Sequence, residues 1–147
     1  MIVNWEKGAP PAQTVTLATI VLREEPIDSL RSISMKLPNA GVVKIEREKI
    51  ADYLLNADHP DNGGKAAFFV ALGFHRDDWE PLANTLRMLV ITYSVTRSME
   101  SAHGKKYIVD GAIETPTGKS PRVRTIWIVD SGKTVPRLVT AYPHEEG

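Results

Sequence analysis

The spacing of apolar and polar positions divides the chain into a helical part followed by a strand part. Between Glu46 and Leu55, Ile50, Tyr53 and Leu54 fall on one face at helical spacing, which predicts a helix there. Lys65 to Leu72 repeats the pattern through Phe68, Phe69 and Leu72, and Gly73 suits the left-handed position after a helix end. Trp79, Leu82, Leu86, Leu89, Val90 and Tyr93 keep the same period, so a third helix is expected over 78–98, opened by Asp77 and Glu80 at capping-box spacing. Its last part, VITYSVT, is β-branched, so the helix either ends early or runs into a strand.

His103-Gly104 breaks the pattern, and the period then falls to two. Lys106 to Ile113 reads as a strand. Arg122 to Val129 sets Val123, Thr125, Trp127 and Val129 on one face against Arg122, Arg124, Ile126 and Ile128 on the other. Arg137 to Tyr142 is a third strand, with Leu138, Thr140 and Tyr142 expected to share a face. The connections, Thr115 to Gly118 and Asp130 to Lys133, carry turn residues and are short, so the strands form an antiparallel meander. The fold class expected is α+β, with N-terminal helices packed on a C-terminal antiparallel β-meander.

Ahead of the helices the pattern is weaker. Gly8, Pro10 and Pro11 break the first 13 residues. Thr14 to Leu22 is rich in β-branched residues and reads as a strand, ended by Glu24-Glu25-Pro26. Asp28 could cap one helical turn through Ser32, and Gly41 to Ile45 could be another short strand. Composition changes at Met35. Residues 1–34 therefore read as an extension with one strand, and 35–147 as a single α+β domain; alternatively, Met35 is itself the true start.

Composition narrows the chemistry. A chain of 147 residues with 42% apolar and 24% charged positions has the makings of one globular domain. The formal net charge is zero, so overall charge argues for no particular class of partner. The absence of cysteine excludes disulfides, thiolate nucleophiles and Cys-ligated zinc, and fits a cytoplasmic location. No apolar run approaches the length of a membrane span, and the N-terminus does not read as a signal peptide.

The turn between the first two helices, ADHPDNGG, concentrates the candidate chemistry. His59 can act as an acid or base near neutral pH, or can simply cap a backbone group. Lys65 follows Gly63-Gly64 at a helix start, where an ammonium and bare N–H groups favour an anion such as phosphate; a flexible entry loop with a solvated lysine is the plainer reading. The spacing is not that of a nucleotide-binding P-loop, which argues against nucleotide hydrolysis. The meander carries Lys119, Arg122, Arg124, Lys133 and Arg137 against only Asp130, so a basic sheet could follow a phosphate backbone or could be an ordinary solvated face. Arg124 is the mid-strand member. Thr140 and Tyr142 offer a hydroxyl pair that could orient a phosphate, or that is merely half-buried. His75, His103 and His144 hold no metal-ligand spacing.

Six motifs occur in order: LPNA at 37–40, YLLNADHP at 53–60, GGKAAFF at 63–69, LGF at 72–74, VRTIWIV at 123–129 and PRLVTAYP at 136–143. Together they resemble a bacterial family of unknown-function domains that occurs alone or as the C-terminal toxin tip of polymorphic-toxin and phage-head-morphogenesis-like proteins. The order of elements is similar to that of the barnase/EndoU/colicin/RelE-like ribonuclease toxins. The resemblance covers about 35–143. Related toxin tips often read HPVGG where this chain reads HPDNGG, which lengthens the step from His59 to Lys65.

The resemblance implies a small metal-independent endoribonuclease toxin of a toxin–antitoxin or polymorphic-toxin system. His59, Lys65, Arg124, Thr140 and Tyr142 would be its catalytic residues, RNA such as tRNA its substrate, and an antitoxin or immunity protein its partner. It implies no cofactor, metal or membrane. The other reading is a non-catalytic interaction module, antitoxin-like or RNA-binding, with the same fold. The altered step from His59 to Lys65 and the zero net charge favour that second reading.

Overall fold

The computed structural model describes residues 35–145. The expected strand at Thr14 to Leu22 and the helical turn from Asp28 lie outside the described residues. Within them the chain is α+β, with three helices followed by a four-stranded antiparallel sheet. Helix α1 begins at Arg47–Lys49 and continues as a π-helical turn, Ile50–Leu54. Helix α2 is Lys65–Ala71 and helix α3 is Glu80–Thr92. The strands are β1 (Val95–Ser101), β2 (Gly104–Ala112), β3 (Arg122–Asp130) and β4 (Arg137–Pro143), and their order in the sheet is their order in the chain.

The sheet therefore has one strand more than the apolar pattern predicts. α3 stops at Thr92, Tyr93 turns extended, and the β-branched stretch runs into β1, one of the two outcomes its composition allowed. Val95 and Thr96 are β-branched and fit a pleated ribbon better than a crowded helical turn. The expected capping box does not form. Trp79 precedes the first helical residue without a side-chain cap, and Asp78 instead closes a tight turn by donating its N–H to the His75 carbonyl at 3.0 Å. Gly41 to Ile45 is no strand either. Ala40–Val42 is a 3-10 turn, and in this stretch Lys44 forms an isolated parallel bridge to Arg137.

The helices cover one face of the sheet. Leu82, Ala83, Leu86, Leu89 and Val90 of α3 join Ile50, Leu54 and Phe69 in a core built on Val109, Val123, Trp127, Leu138 and Ala141. Burial of each large apolar side chain there contributes about 1.5–3 kcal/mol. The indole of Trp127 is fully buried, and its N–H is satisfied by Thr125 Oγ1 at 2.7 Å, which in turn donates to the Val109 carbonyl at 2.7 Å. Unmatched, that N–H would make the tryptophan a costly core residue.

A bulge in β4 corrects the expected face sharing. Trp127 lies opposite Leu138, whereas the next residue back, Ile126, lies opposite Thr140. One extra residue on β4 shifts the alternation. Leu138 thus joins the core, while Thr140 and Tyr142 pair with Ile126 and Arg124, which belong to the other side of β3.

Candidate functional site

The site is built on the turn between α1 and α2. Leu55 donates its N–H to the carbonyl of Ile50, five residues back, at 2.8 Å. This π turn holds Ile50 and Leu54 in the core and leaves Tyr53 half-buried at the rim. Such turns recur at functional positions because the additional residue displaces one side chain from regular helical alignment. After it the chain passes through a tight loop and enters α2 by way of Gly63 and Gly64, both at positive φ (62° and 88°). Two successive left-handed residues are accessible without strain only to glycine.

Asn62 fastens the loop. Its side chain is almost fully buried, donates from Nδ2 to the Tyr53 carbonyl at 2.6 Å, and accepts the Ala66 N–H on Oδ1 at 2.9 Å. One amide therefore ties the turn that carries Tyr53 to the helix that carries Lys65. The same bonds revise the expected anion pocket. The N–H of Lys65 is donated to the Asn62 carbonyl and that of Phe68 to Gly64, so much of the first turn of α2 is already engaged. What this corner offers an anion is side-chain charge rather than a nest of backbone amides.

Three of the five expected site residues meet at Tyr53. Its ring packs edge-on against His59 with 5.0 Å between centroids. Lys65 Nζ lies 5.5 Å from the same ring centroid and also donates to the Asn62 carbonyl at 3.1 Å. The Tyr53 hydroxyl lies 3.0 Å from Thr140 Oγ1, which links the helical corner to β4 across 87 positions of sequence. His59 Nδ1 accepts the N–H of Asp61 at 3.0 Å. In the neutral ring the proton is therefore on Nε2, and the imidazole presents a donor outward rather than a base.

Arg124 and Tyr142 form a second group, opposite each other on β3 and β4. Arg124 is committed to Asp110 by two parallel bonds, Nε to Oδ1 at 2.8 Å and Nη2 to Oδ2 at 2.9 Å. Burial pushes the Asp110 carboxyl up, but the bonds and charge of Arg124 outweigh this and hold it below the ordinary carboxylate range. The pair with Asp110 likewise raises the Arg124 pKa further, with a smaller contribution from Tyr142. Arg137 is paired in the same bidentate way with Asp130, at 2.7 and 3.0 Å. Two of the five basic residues expected to make the sheet attractive to polyanions are thus bound to carboxylates. The two groups are joined by β4, which carries Thr140 and Tyr142 two residues apart.

Among the described residues no three His, Asp or Glu side chains converge as a metal-binding set, and no helix is long and apolar enough to cross a membrane.

Residues 36–145 match the family described as "Domain of unknown function (DUF6883)". The chain belongs to this family. Comparison with curated proteins gives no match. Among solved structures, the chain is similar to one described as a contact-dependent growth inhibition toxin–immunity protein complex from Klebsiella pneumoniae 342, with a TM-score of 0.58 and 15% identity over 73% of this chain and 97% of that one. At that identity the likeness is one of fold.

In this family member the sequence reading passed over Tyr53, Asn62 and Asp110. Tyr53 sits at core spacing beside Ile50 and Leu54, and only the π turn moves it to the rim. Asn62 looks like any turn residue. The one available signal was Asp110 itself, an acid inside an otherwise apolar stretch of strand, which called for a cationic partner.

Proposed function

We propose that the chain is a small metal-independent endoribonuclease of the toxin type, with its site at the Tyr53 corner. The observation that carries this reading is the convergence of His59, Lys65 and Thr140 on Tyr53 from distant parts of the sequence. The fold shared with a structure of a toxin–immunity complex supports it. RNA supplies its own nucleophile, so a protein needs only to orient the phosphate, stabilise its charge and manage two protons.

The 2′-hydroxyl attacks the adjacent phosphorus and releases its proton to water. The bond from phosphorus to the 5′ oxygen breaks, leaving a 2′,3′-cyclic phosphate, and the Lys65 ammonium gives the departing oxygen its proton. His59 donates from Nε2 to a phosphoryl oxygen, and the Tyr53–Thr140 hydroxyl pair holds another. Arg124, paired with Asp110, ties β2 to β3 rather than meeting the scissile phosphate, and Tyr142 stands opposite it on β4. A toxin of this kind, acting on RNA such as tRNA in the cytoplasm, requires a cognate antitoxin or immunity partner.

The test is incubation of the purified chain with total RNA and with tRNA in EDTA, beside His59→Ala and His59→Gln. Glutamine places an N–H close to the position of Nε2. EDTA-resistant cleavage that falls at least a hundredfold in His59→Ala and is largely restored in His59→Gln is expected. Cleavage persisting in His59→Ala would remove His59 from the site.

A second reading has its own support. The capture of Arg124 and Arg137 by carboxylates leaves the sheet less basic than a nuclease surface would be, and suits an immunity-type or RNA-binding module. That reading predicts that the host tolerates expression of the chain alone and that folded protein leaves RNA intact.

A further inference from the structure

We infer that Lys49 forms a second phosphate subsite beside the Tyr53 corner, so that the site grips two neighbouring phosphates of one RNA strand. The inference rests on the ribonuclease reading and extends it to a residue that the reading does not use. Lys49 ends the regular part of α1, one turn before Tyr53, and its Nζ lies 5.2 Å from the centroid of the Tyr53 ring. Lys65 Nζ lies 5.5 Å from that same centroid. The two ammonium groups are therefore separated by no more than the sum of those distances, a span that the phosphates flanking one nucleotide can bridge.

The charge around the two lysines leaves both available. Among the described residues, neither Lys49 nor Lys65 is in an ion pair, while Lys44, Arg76, Lys105, Arg124 and Arg137 all are. Asp52, three residues after Lys49 on the same helix, is bonded to Arg76 at 3.1 Å. Asp58 and Asp61 of the loop are exposed. Two like charges on one aromatic ring repel each other, and the ring attracts each only modestly. A phosphate at each lysine turns that repulsion into attraction. Lys49 is also half-buried, unlike Glu46, Arg47 and Glu48 before it, so its stem is held along the tyrosine rather than free in water.

The experiment uses a short single-stranded RNA in which every 2′-hydroxyl is methylated, so that it binds without being cut. Its affinity for wild type, Lys49→Ala and Lys49→Arg is measured from low to moderate salt, with thermal melting as the control for folding. The inference expects about tenfold weaker binding for Lys49→Ala at low salt, a salt slope smaller by about one, and recovery in Lys49→Arg. On unmethylated RNA, Lys49→Ala should raise KM while kcat stays within about twofold, because the residue grips a phosphate that does not react. Equal affinity and equal slope for wild type and Lys49→Ala, with cleavage intact, would overturn the Lys49 subsite and leave the ribonuclease reading standing. No binding and no cleavage by folded wild type would overturn both.

Discussion

Two groups of polar side chains sit on this fold, and their cations are treated in opposite ways. On the sheet, Arg124 is locked to Asp110 and Arg137 to Asp130 by bidentate bonds. At the helical corner, Lys65 and Lys49 lie against an aromatic ring, Lys65 also on a carbonyl, and neither makes an ion pair among the described residues. A guanidinium already paired with a buried or half-buried carboxylate has its charge neutralised locally and contributes chiefly to the fold. An ammonium without a counter-ion is available to an incoming anion. The run of positive residues on the sheet is thus partly structural, and the cations open to a ligand include those at the helical corner.

Substitution can break this contrast. The largest difference is expected between Lys65→Ala and Arg124→Ala in RNA cleavage per folded molecule. Lys65→Ala should lose about a hundred- to a thousandfold in rate while its melting stays near wild type. Arg124→Ala should instead lose about 3 kcal/mol of stability in urea titration, because it strands a carboxylate that is only 3% exposed. A large rate loss without a stability loss in Arg124→Ala would make the sheet group part of the chemistry and erase the distinction.

The same pair predicts a pH dependence. Asp110 titrates lower in the folded chain than in the unfolded one, so the folded state binds fewer protons in the acid range. The stabilisation from this pair is complete above the ordinary carboxylate pKa of about 3.9 and is lost as pH falls through the depressed folded value. Denaturation followed from pH 6 to pH 2 should show wild type losing stability across the acid range, with Asp110→Asn losing less there from a lower starting point.

A smaller effect is expected at Asn62. Its side chain bonds a carbonyl of the π turn and an N–H of α2; Asn62→Ala leaves the Ala66 N–H unmatched, while the Tyr53 carbonyl keeps the Asn56 N–H at 3.2 Å, and should destabilise by about 1–2 kcal/mol. Because the two elements it joins carry Tyr53 and Lys65, the cleavage rate of the folded fraction should fall as well. A rate that follows only the folded fraction would reduce Asn62 to a loop fastener.

Much of this architecture could be read from the residues. β3 alternates as expected from Arg122 to Trp127 but not beyond, where Ile128 is buried and Val129 half-buried; the Gly63-Gly64 pair marks the turn, and the apolar period of α3 places its core face correctly. Errors came where geometry depends on partners far along the chain. β1 follows α3 with one continuous supply of apolar and β-branched residues, and its strand form is decided by pairing with β2. The bulge that separates Leu138 from Thr140 arises from register with β3, which no local pattern reveals. The candidate site was half legible: the loop signals His59 and Lys65, but Tyr53, the residue they pack against, carries the spacing of a core position. Asp110 and Arg124 are 14 positions apart and meet only because the hairpin register sets them opposite each other.

The finest test of the corner concerns the hydroxyl pair that closes it onto the sheet. Tyr53 and Thr140 are 3.0 Å apart and partly exposed, so their bond should contribute only about 1 kcal/mol. Tyr53→Phe and Thr140→Val each remove the bond while nearly preserving shape. If the pair is a local tie between α1 and β4, the double variant should be no less stable than the worse single one, giving a coupling energy close to the strength of the bond. RNA cleavage should follow a different pattern. If both hydroxyls hold the phosphate, each single variant lowers the rate, and the double lowers it further than the lost tie explains. Additive stability losses would mean the two groups do not interact in solution, and β4 would then no longer anchor the corner through this bond.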